Sequence, residues 1–410
     1  MAGGSTGAGS TGTVAIVGGR VVPIVGEPLD GGTVLVADGR ITAVGLGLDV
    51  PPDATVIDAS GRWVLPGFVE AHGHVGVDEE AEGWAGDDTN EMTEPVTAQV
   101  RAIDAINPAD LGFRDAIAGG VLAVNVNPGS GNPVGGQTVA LKCWGKTVDE
   151  MALRAPSGMK SALGENPKRV YGDKGKMPST RLGTAAVIRS ALVAATNYLQ
   201  RLEAAERKPE SEREPVDRDL KLEALGWVLR REIPWRQHCH RADDIATAIR
   251  IADEFGYDLV IDHGTEAHLL ADLIAARGIP VIIGPLFTSR SKVELRNRSL
   301  ANPGRLAAAG VTIAITTDHP VVPINFLVHQ ATLAVKEGLD PQTALAAITI
   351  NPARIAGIDD RLGSIEVGKD ADLVIWSGDP LDVRSRAELA LIEGAEIYSY
   401  RDGTATFAAR

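Results

Sequence analysis

Residues 64–74 of the chain read Val-Leu-Pro-Gly-Phe-Val-Glu-Ala-His-Gly-His, an apolar run that ends in two histidines separated by one residue. The run predicts a β-strand, and alternate residues of a strand point to the same face. Both imidazoles, those of His72 and His74, can therefore reach one metal ion at the carboxyl end of the strand. The pair alone is a weak indication, because polar loop residues produce the same pattern.

Three further strand-like segments are also followed by a residue that binds metals. His238 follows Ile-Pro-Trp-Arg-Gln, His263 follows Leu-Val-Ile-Asp, and Asp318 follows Ile-Ala-Ile-Thr-Thr. Imidazole and carboxylate ligands together suit zinc or a related divalent ion. The sequence therefore predicts a metal site that is assembled from the ends of several strands.

Strand-like and helix-like segments alternate through the middle of the chain, which is typical of parallel βαβ units. Eight strands are predicted, and they begin near residues 67, 120, 138, 158, 233, 258, 280 and 311. Eight such units over about 290 residues predict an α/β fold, a (β/α)8 barrel of the TIM type. In that barrel the carboxyl ends of all strands meet on one face, so the predicted ligands converge there.

Both ends of the chain instead consist of short apolar runs broken by turn residues such as Gly-Gly, Asp-Gly and Pro-Pro. This pattern predicts antiparallel β-structure, and neither end is long enough for an independent core. We therefore expect residues 14–65 and 357–410 to form one small β-sandwich domain, and residues 66–356 to form the barrel. Residues 1–13 are rich in Gly, Ser and Thr and predict a flexible leader.

Composition narrows the class of protein further. The 410 residues are 44% hydrophobic, enough for a large core, and carry a formal net charge of -14. Such acidity disfavours a nucleic acid or an anionic membrane as partner. With only two cysteines, no secretory signal and no long apolar run, the sequence predicts a cytoplasmic protein without disulfides.

Taken together, these motifs resemble those of the amidohydrolase superfamily. The resemblance rests on the His-Gly-His stretch, the later single histidines, Thr317-Asp318, and a C-terminal run. That run reads Asn-Pro-Ala-Arg-Ile-Ala-Gly over residues 351–357 and Leu-Gly-Ser-Ile-Glu-Val-Gly-Lys-Asp-Ala-Asp-Leu-Val-Ile-Trp over residues 362–376. Within the superfamily the chain looks closest to the imidazolonepropionase-like and prolidase-like branch.

The resemblance implies an enzyme that hydrolyses an amide, cyclic amide or peptide-like C–N bond of a small-molecule substrate. It also implies one or two divalent metal ions per chain, zinc foremost, and a homo-oligomer. His72 and His74 would bind the more buried metal, and His238 and His263 would bind the second. If the site holds one metal, one of the latter pair would orient the substrate instead.

Asp318 and His263 are the catalytic residues that the resemblance implies. A metal-activated hydroxide would attack the substrate, while Asp318, also a metal ligand, would take up the proton and return it to the leaving nitrogen. Glu70, two residues before His72, stands where members of the superfamily usually have aspartate. This conservative difference leaves the predicted metal site intact.

The ligand that would bridge two metals is left open. Sites of this superfamily use a glutamate or a carboxylated lysine at the end of strand three or four, and three residues fit. Glu165 is expected first, because it follows an apolar strand, is already anionic and needs no modification. Lys142 and Lys160 are the alternatives.

Three more residues are predicted to contact the substrate. His240 shares the strand face of His238 if the strand continues, where it would contact the substrate or serve as a hydrogen-bonded structural residue. Lys168 and Arg169 follow Glu165 closely and would meet an anionic substrate group at the barrel mouth. The alternative for these two cations is a solvated loop charge.

Two other functions compete with amide hydrolysis. A heterocycle deaminase uses the same scaffold, but it usually has a glutamate shortly after the histidine of strand five. Here Cys-His-Arg-Ala-Asp-Asp follows His238 instead. A non-catalytic barrel that serves as a scaffold would have lost metal ligands, whereas every expected ligand position is filled.

Overall fold

The structure is a computed structural model that describes residues 12–213 and 215–410, so nearly all of the predicted leader lies outside the described residues. The strands are β1 (Val14–Val21), β2 (Leu29–Ala37), β3 (Arg40–Gly45), β4 (Thr55–Asp58), β5 (Trp63–Pro66), β6 (Phe68–Gly73), β7 (Val121–Val126), β8 (Val134–Lys142), β9 (Ala152–Ala162), β10 (Trp235–Cys239), β11 (Leu259–His263), β12 (Val281–Ile283), β13 (Ile313–Ile315), β14 (Leu373–Trp376), β15 (Ala387–Ile392), β16 (Ala395–Arg401) and β17 (Thr404–Phe407). The helices are α1 (Leu111–Ala118), α2 (Val148–Met151), α3 (Glu165–Gly172), α4 (Arg181–Glu206), α5 (Leu220–Leu229), α6 (Ala242–Phe255), α7 (Ala271–Ala276), α8 (Asn302–Ala308), α9 (Leu327–Lys336), α10 (Pro341–Ala346) and α11 (Ile350–Ala356).

Strands β6 to β13 form one eight-stranded sheet in chain order, and each coincides with one of the eight predicted strands. The first and last strands of this sheet also meet. Thr316 Oγ1 donates to His72 O at 2.6 Å, and His74 N donates to His319 O at 2.9 Å. These bonds bring the two edges together, and the predicted barrel of the TIM type is confirmed.

Strand β8 departs from the predicted parallel alternation, because it runs antiparallel to both β7 and β9. The reason is the length of the connection. Only residues 127–133 separate β7 from β8, whereas a parallel crossover needs about a dozen residues or more. The other neighbouring pairs of the barrel sheet are parallel.

The two chain ends contribute to a second sheet, in the order β17-β16-β15-β14-β5-β1-β2-β3, with β4 paired to β1. The ends join where β5 pairs antiparallel with β14, with Trp63 opposite Trp376. Its apolar side chains, such as Val34, Ile41 and Leu373, form a core cluster of their own. The arrangement as a two-layer sandwich and the domain limits at residues 65 and 356 stay predictions.

The barrel core positions the site. Apolar residues of the strands and of the surrounding helices form the largest buried cluster, to which Val124, Ile261 and Ile315 belong. Cys143 and Cys239 are buried and free. None of the helices in residues 12–213 and 215–410 combines the length and the apolarity needed to cross a bilayer.

Candidate metal centre and substrate cavity

A cavity of about 280 Å³ opens at the carboxyl ends of the parallel barrel strands. The structure brings together six of the predicted site residues on its wall: His72, His74, His238, His240, His263 and Asp318. Lys160, an alternative candidate in the sequence, lies there as well. The strand ends thus converge as parallel barrel geometry requires.

His72 on β6 and His74 just after it face Asp318 across the cavity. His72 Nε2 and His74 Nε2 each lie 3.4 Å from Asp318 Oδ1. His74 Nδ1 donates to the carbonyl of Asn127 at 2.8 Å, which leaves a lone pair on Nε2. His72 Nδ1 lies 3.0 Å from Asp262 Oδ2, so its Nε2 is likewise available as a ligand.

Three histidines from β10 and β11 and the turns after them form a second group. The ligand atoms of His238, His240 and His263 lie within 4.8 Å of one another, and so do those of His72, His263 and Asp318. His263 Nδ1 donates to Gly284 O at 2.9 Å, and His240 Nδ1 shares a hydrogen bond of 2.9 Å with Thr265 Oγ1. Each of these rings therefore keeps one nitrogen for the cavity.

His238 tests whether a metal fits these residues. Neither of its buried ring nitrogens has a hydrogen-bond partner within residues 12–213 and 215–410. Burial lowers its pKa well below the usual value, and the neighbouring His263 and His240 lower it further, so the ring is neutral. A buried, neutral imidazole without protein partners is costly unless it binds something, and a divalent metal satisfies it.

The side chains of two candidate ligands owe their direction to an unusual backbone. His263 and Asp318 have φ values of 74° and 55°, in the left-handed region that residues other than glycine rarely adopt. Each such residue costs about 1–3 kcal/mol, a strain found mainly at functional sites. At both positions this backbone directs the side chain toward the cavity, at the last residue of β11 for His263 and shortly after β13 for Asp318.

Beneath the cavity lies a buried group of charges. Lys160 on β9 places its Nζ 3.0 Å from Asp262 Oδ2 and 3.3 Å from His72 Nε2. Arg236 Nη2 lies 3.2 Å from the other oxygen of Asp262 and donates to Ala71 O at 2.7 Å. Asp262 therefore holds a lysine, an arginine and a histidine in place within the barrel.

No motif in the sequence marks Asp262 or Arg236. Arg236 lies in β10, two residues before His238, and Asp262 lies in β11, directly before His263. Charged side chains are almost never fully buried unless they are paired. A charge in a fully buried strand was therefore the available signal, and both residues are fully buried.

Two carboxylates at the site, the partly buried Asp318 and the fully buried Glu70, differ in their pKa. Burial raises the pKa of Asp318, but the neighbouring His263, His72 and His74 outweigh it and hold that pKa well below its usual range. Burial raises the pKa of Glu70 to about 7, despite hydrogen bonds from Thr317. Glu70 thus ties β6 to the turn that carries Asp318.

Glu165 is not among the residues that line the cavity, which corrects the expectation that it bridges two metals. Strand β9 ends at Ala162, and Gly164, with φ of 89°, turns the chain away before Glu165 begins α3. The amide of Glu165 donates to Glu294 Oε1 at 2.8 Å. The bridging candidate at the cavity is Lys160, which is still within the strand.

Lys142 lies at the opposite end of the barrel. Because β8 runs antiparallel, its last residue stands beside Ala123, near the amino end of β7. There Lys142 Nζ lies 2.8 Å from Asp370, 3.1 Å from Asp372 and 2.9 Å from Glu393. Lys142 therefore joins the barrel to the second sheet and contributes nothing to the cavity.

Lys168 and Arg169 are exposed on α3 and do not line the cavity, which corrects their expected role. Helix α3 turns both side chains to solvent, as the alternative of a solvated charge anticipated. Besides Lys160, the cavity wall carries Lys292, from the segment 284–301 between β12 and α8. No motif marked it in the sequence.

Comparison with known proteins agrees with this geometry. A sequence model described as "Amidohydrolase family" matches residues 229–402. A solved amidohydrolase from Thermotoga maritima MSB8 is 46% identical, covers 94% of this chain and all of its own, and superposes with a TM-score of 0.92. A prolidase solved with N-methylphosphonate-L-proline is 21% identical over 95% of this chain and 100% of its own, with a TM-score of 0.62, and shows the same fold.

Two relatives of similar sequence are also hydrolases of this kind. Amidohydrolase tasK of Hapsidospora irregularis is 32% identical over 92% of this chain, which spans 40% of that protein's length. An imidazolonepropionase of Symbiobacterium thermophilum is 29% identical over 85% of this chain and 84% of its own.

Proposed function

This chain belongs to the amidohydrolase family, in its imidazolonepropionase-like and prolidase-like branch, and we propose that it hydrolyses an amide, cyclic amide or peptide-like bond with the aid of one or two divalent metal ions, zinc foremost. Its relatives support the coarser statement, a hydrolase that acts on C–N bonds of small molecules. One observation supports the metal-dependent mechanism: two groups of side chains that could hold a metal share His263 at a single cavity. The cytoplasmic location and the homo-oligomeric state stay predictions.

The side chains divide naturally between two positions. His72, His74 and Asp318 would hold one metal, and His238 and His263 the other. The ring centroids of His240 and His263 lie 5.0 Å apart. His240 would therefore contact the substrate or act as a further ligand of the second metal. A divalent ion bound here supplies a lowered pKa for water and polarises the substrate carbonyl.

Asp318 is the proposed proton carrier. Its carboxylate is ionised, lies at the cavity wall and is 16% exposed, so a water or substrate proton can reach it. It would accept the proton of the attacking water and deliver it to the departing nitrogen. His72 and His74, each 3.4 Å from Oδ1, hold the carboxylate in that position.

Lys160 is the proposed bridge if two metals are bound. Its neutral amine would add carbon dioxide, forming an N–C bond and releasing one proton, and the resulting carboxylate would reach both positions. The observation that supports this is the placement of Nζ 3.3 Å from His72 Nε2 in a buried site. Paired with Asp262 as an ammonium, Lys160 would instead support a site with one metal.

Native mass spectrometry separates these two states of Lys160. A carboxylated lysine adds the mass of one carboxyl group, and Lys160→Met abolishes the addition. Lys142→Met is the matched control and keeps it. An unmodified wild-type chain would assign Lys160 to the ion pair with Asp262.

Metal content and activity test the function itself. Inductively coupled plasma mass spectrometry on protein purified without chelator should find one or two equivalents of zinc or a similar ion. The same protein should release amines from a panel of amides, lactams, N-acyl amino acids and dipeptides. Release of ammonia from heterocycles, with no cleavage of amides, would favour the deaminase. Absence of metal even after reconstitution would overturn the proposal.

A further inference from the structure

Lys292 presents a positive charge to the cavity without an acidic partner. Within residues 12–213 and 215–410 no carboxylate lies within 4.0 Å of its Nζ, which donates one hydrogen bond to Asn166 Oδ1 at 3.1 Å. Lys292 lines the same cavity as His238, His240 and His263.

Asn166 holds a second donor beside this lysine. Its Nδ2 donates to Ser130 Oγ at 2.8 Å, so the serine oxygen acts as the acceptor and its own proton remains for another group. Ser130 lines the cavity, and Asn166 is buried. One amide thus positions an ammonium and a hydroxyl side by side, both directed at the same space.

The two supporting segments are fixed to each other. Glu294, two residues after Lys292, is buried and accepts a hydrogen bond from the amide of Glu165 at 2.8 Å and from Arg181 Nη2 at 2.7 Å. Segment 284–301 is therefore joined to the start of α3 by two neighbouring contacts, Lys292 with Asn166 and Glu294 with Glu165. Little ordering remains to be done when a ligand binds, which favours affinity.

The loop that carries Ser130 is also held. Gly131 N donates to Asn90 Oδ1 at 2.7 Å, and Asn90 lines the same cavity. A side chain at Gly129 would collide with Asn90, so the two loops are in close contact. The hydroxyl of Ser130 is consequently presented by a packed loop.

We propose that Lys292 and Ser130, positioned by Asn166, bind a carboxylate of the substrate. One unpaired cation balances the single charge of a carboxylate, and the two donors match its two oxygens. The amide of Asp78, another acid on the wall, donates to His74 O at 2.8 Å, and within the described residues its carboxylate forms no ion pair with this lysine. The inference rests on the proposed function and narrows its substrates to amides, or cyclic amides, that carry a carboxylate.

Matched pairs of ligands test the site by binding alone. The N-acetyl derivatives of the common L-amino acids and 5-oxo-L-proline are each compared with their carboxamides by isothermal titration calorimetry on the protein as purified. The acid of at least one pair should bind about tenfold or more tightly than its amide, as a charge-assisted hydrogen bond implies. Lys292→Met should reduce that difference to about twofold or less, and Lys292→Arg should restore part of it.

Lys168→Met is the control, because it removes the same charge from an exposed position two residues after Asn166. It should keep the full preference for the acid. Equal affinities of acid and amide for the wild type, including undetectable binding of both, overturn the assignment. So does a preference for the acid that Lys292→Met leaves unchanged.

Turnover of the same pairs distinguishes this inference from the proposed function. Cleavage of acids with a lower KM than their amides supports both. If acids and amides are cleaved equally well, hydrolysis stands and the carboxylate site is wrong. If nothing is cleaved but the preference in binding depends on Lys292, the carboxylate site stands and the proposed hydrolysis is wrong.

Discussion

Lys160 Nζ lies 3.0 Å from Asp262 Oδ2, and both side chains are almost completely buried beneath the candidate metal centre. The same carboxylate oxygen is 3.0 Å from His72 Nδ1. One aspartate therefore fixes both a candidate metal-binding histidine and the lysine nearest to it. It does so from the residue before His263, which faces the cavity.

We expect Asp262→Asn to lower the free energy of unfolding by about 3–5 kcal/mol, because it leaves Lys160 and Arg236 without their buried partner. Urea denaturation of the protein as purified measures this loss. Asp243→Asn, which breaks an exposed pair with Arg241 at 2.7 Å, should cost about 1 kcal/mol or less. Equal losses in the two variants would contradict the role of Asp262.

Asp318→Asn should leave the metal content close to that of the wild type, because the histidines remain, and should lower kcat by about 10²–10⁴-fold. The amide that replaces the carboxylate cannot accept the proton. Metal analysis and kinetics on the best substrate of the amide panel check both parts. A variant that loses its metal, or one that retains more than about a tenth of kcat, would count against a proton-carrying Asp318.

Lys142→Met should destabilise the protein by about 3–5 kcal/mol, because Asp370, Asp372 and Glu393 lose the cation between them. Metal content should not change, since Lys142 lies at the other end of the barrel. Lys146→Met, at an exposed position, serves as the control for stability. A fall in bound metal, with stability intact, would return Lys142 to the list of bridging ligands.

Glu294 should make stability depend on pH. Burial raises its pKa to about 7, and the nearby charges of Glu165 and Asp244 act in the same direction. Because the folded pKa exceeds the ordinary value of 4.5, the folded state binds the proton more tightly than the unfolded state. This contribution is complete below about pH 4.5 and is lost as the pH rises through about 7.

Thermal unfolding of Glu294→Gln across this range measures that contribution. The Tm of the wild type should fall relative to that of the variant as the pH rises. Glu254→Gln, at an exposed residue that pairs with Arg189, should keep the pH profile of the wild type. Parallel profiles for wild type and Glu294→Gln would refute the expectation.

The strands of the barrel were predictable because hydrophobic runs that end in turn residues mark them directly. The direction of β8 was missed, since a run of buried residues looks the same whichever way it runs. The short connection of residues 127–133 contained the answer, because it leaves no room for a crossover. Its direction also decided the position of Lys142.

The site was predictable where a candidate ligand lies at or just after the end of a strand, as His72 and Asp318 do. The prediction for Glu165 failed because a turn at Gly164 separates this residue from β9. The spacing of residues in the sequence does not show in which direction the chain leaves such a turn. Lys292 lies in a long segment without a motif. Its role depends on contacts with Asn166, and these exist only after the chain has folded.

The pairing of β5 with β14 has a consequence for the synthesis of the chain. Pro66 and Leu373 are opposite each other but about 300 residues apart, so the ribosome needs roughly 15–60 s to supply the partner strand at 5–20 residues per second. During that time β5 presents an open edge that other chains could join. The sheet that the first strands begin is therefore completed only after the last strands have emerged from the ribosome.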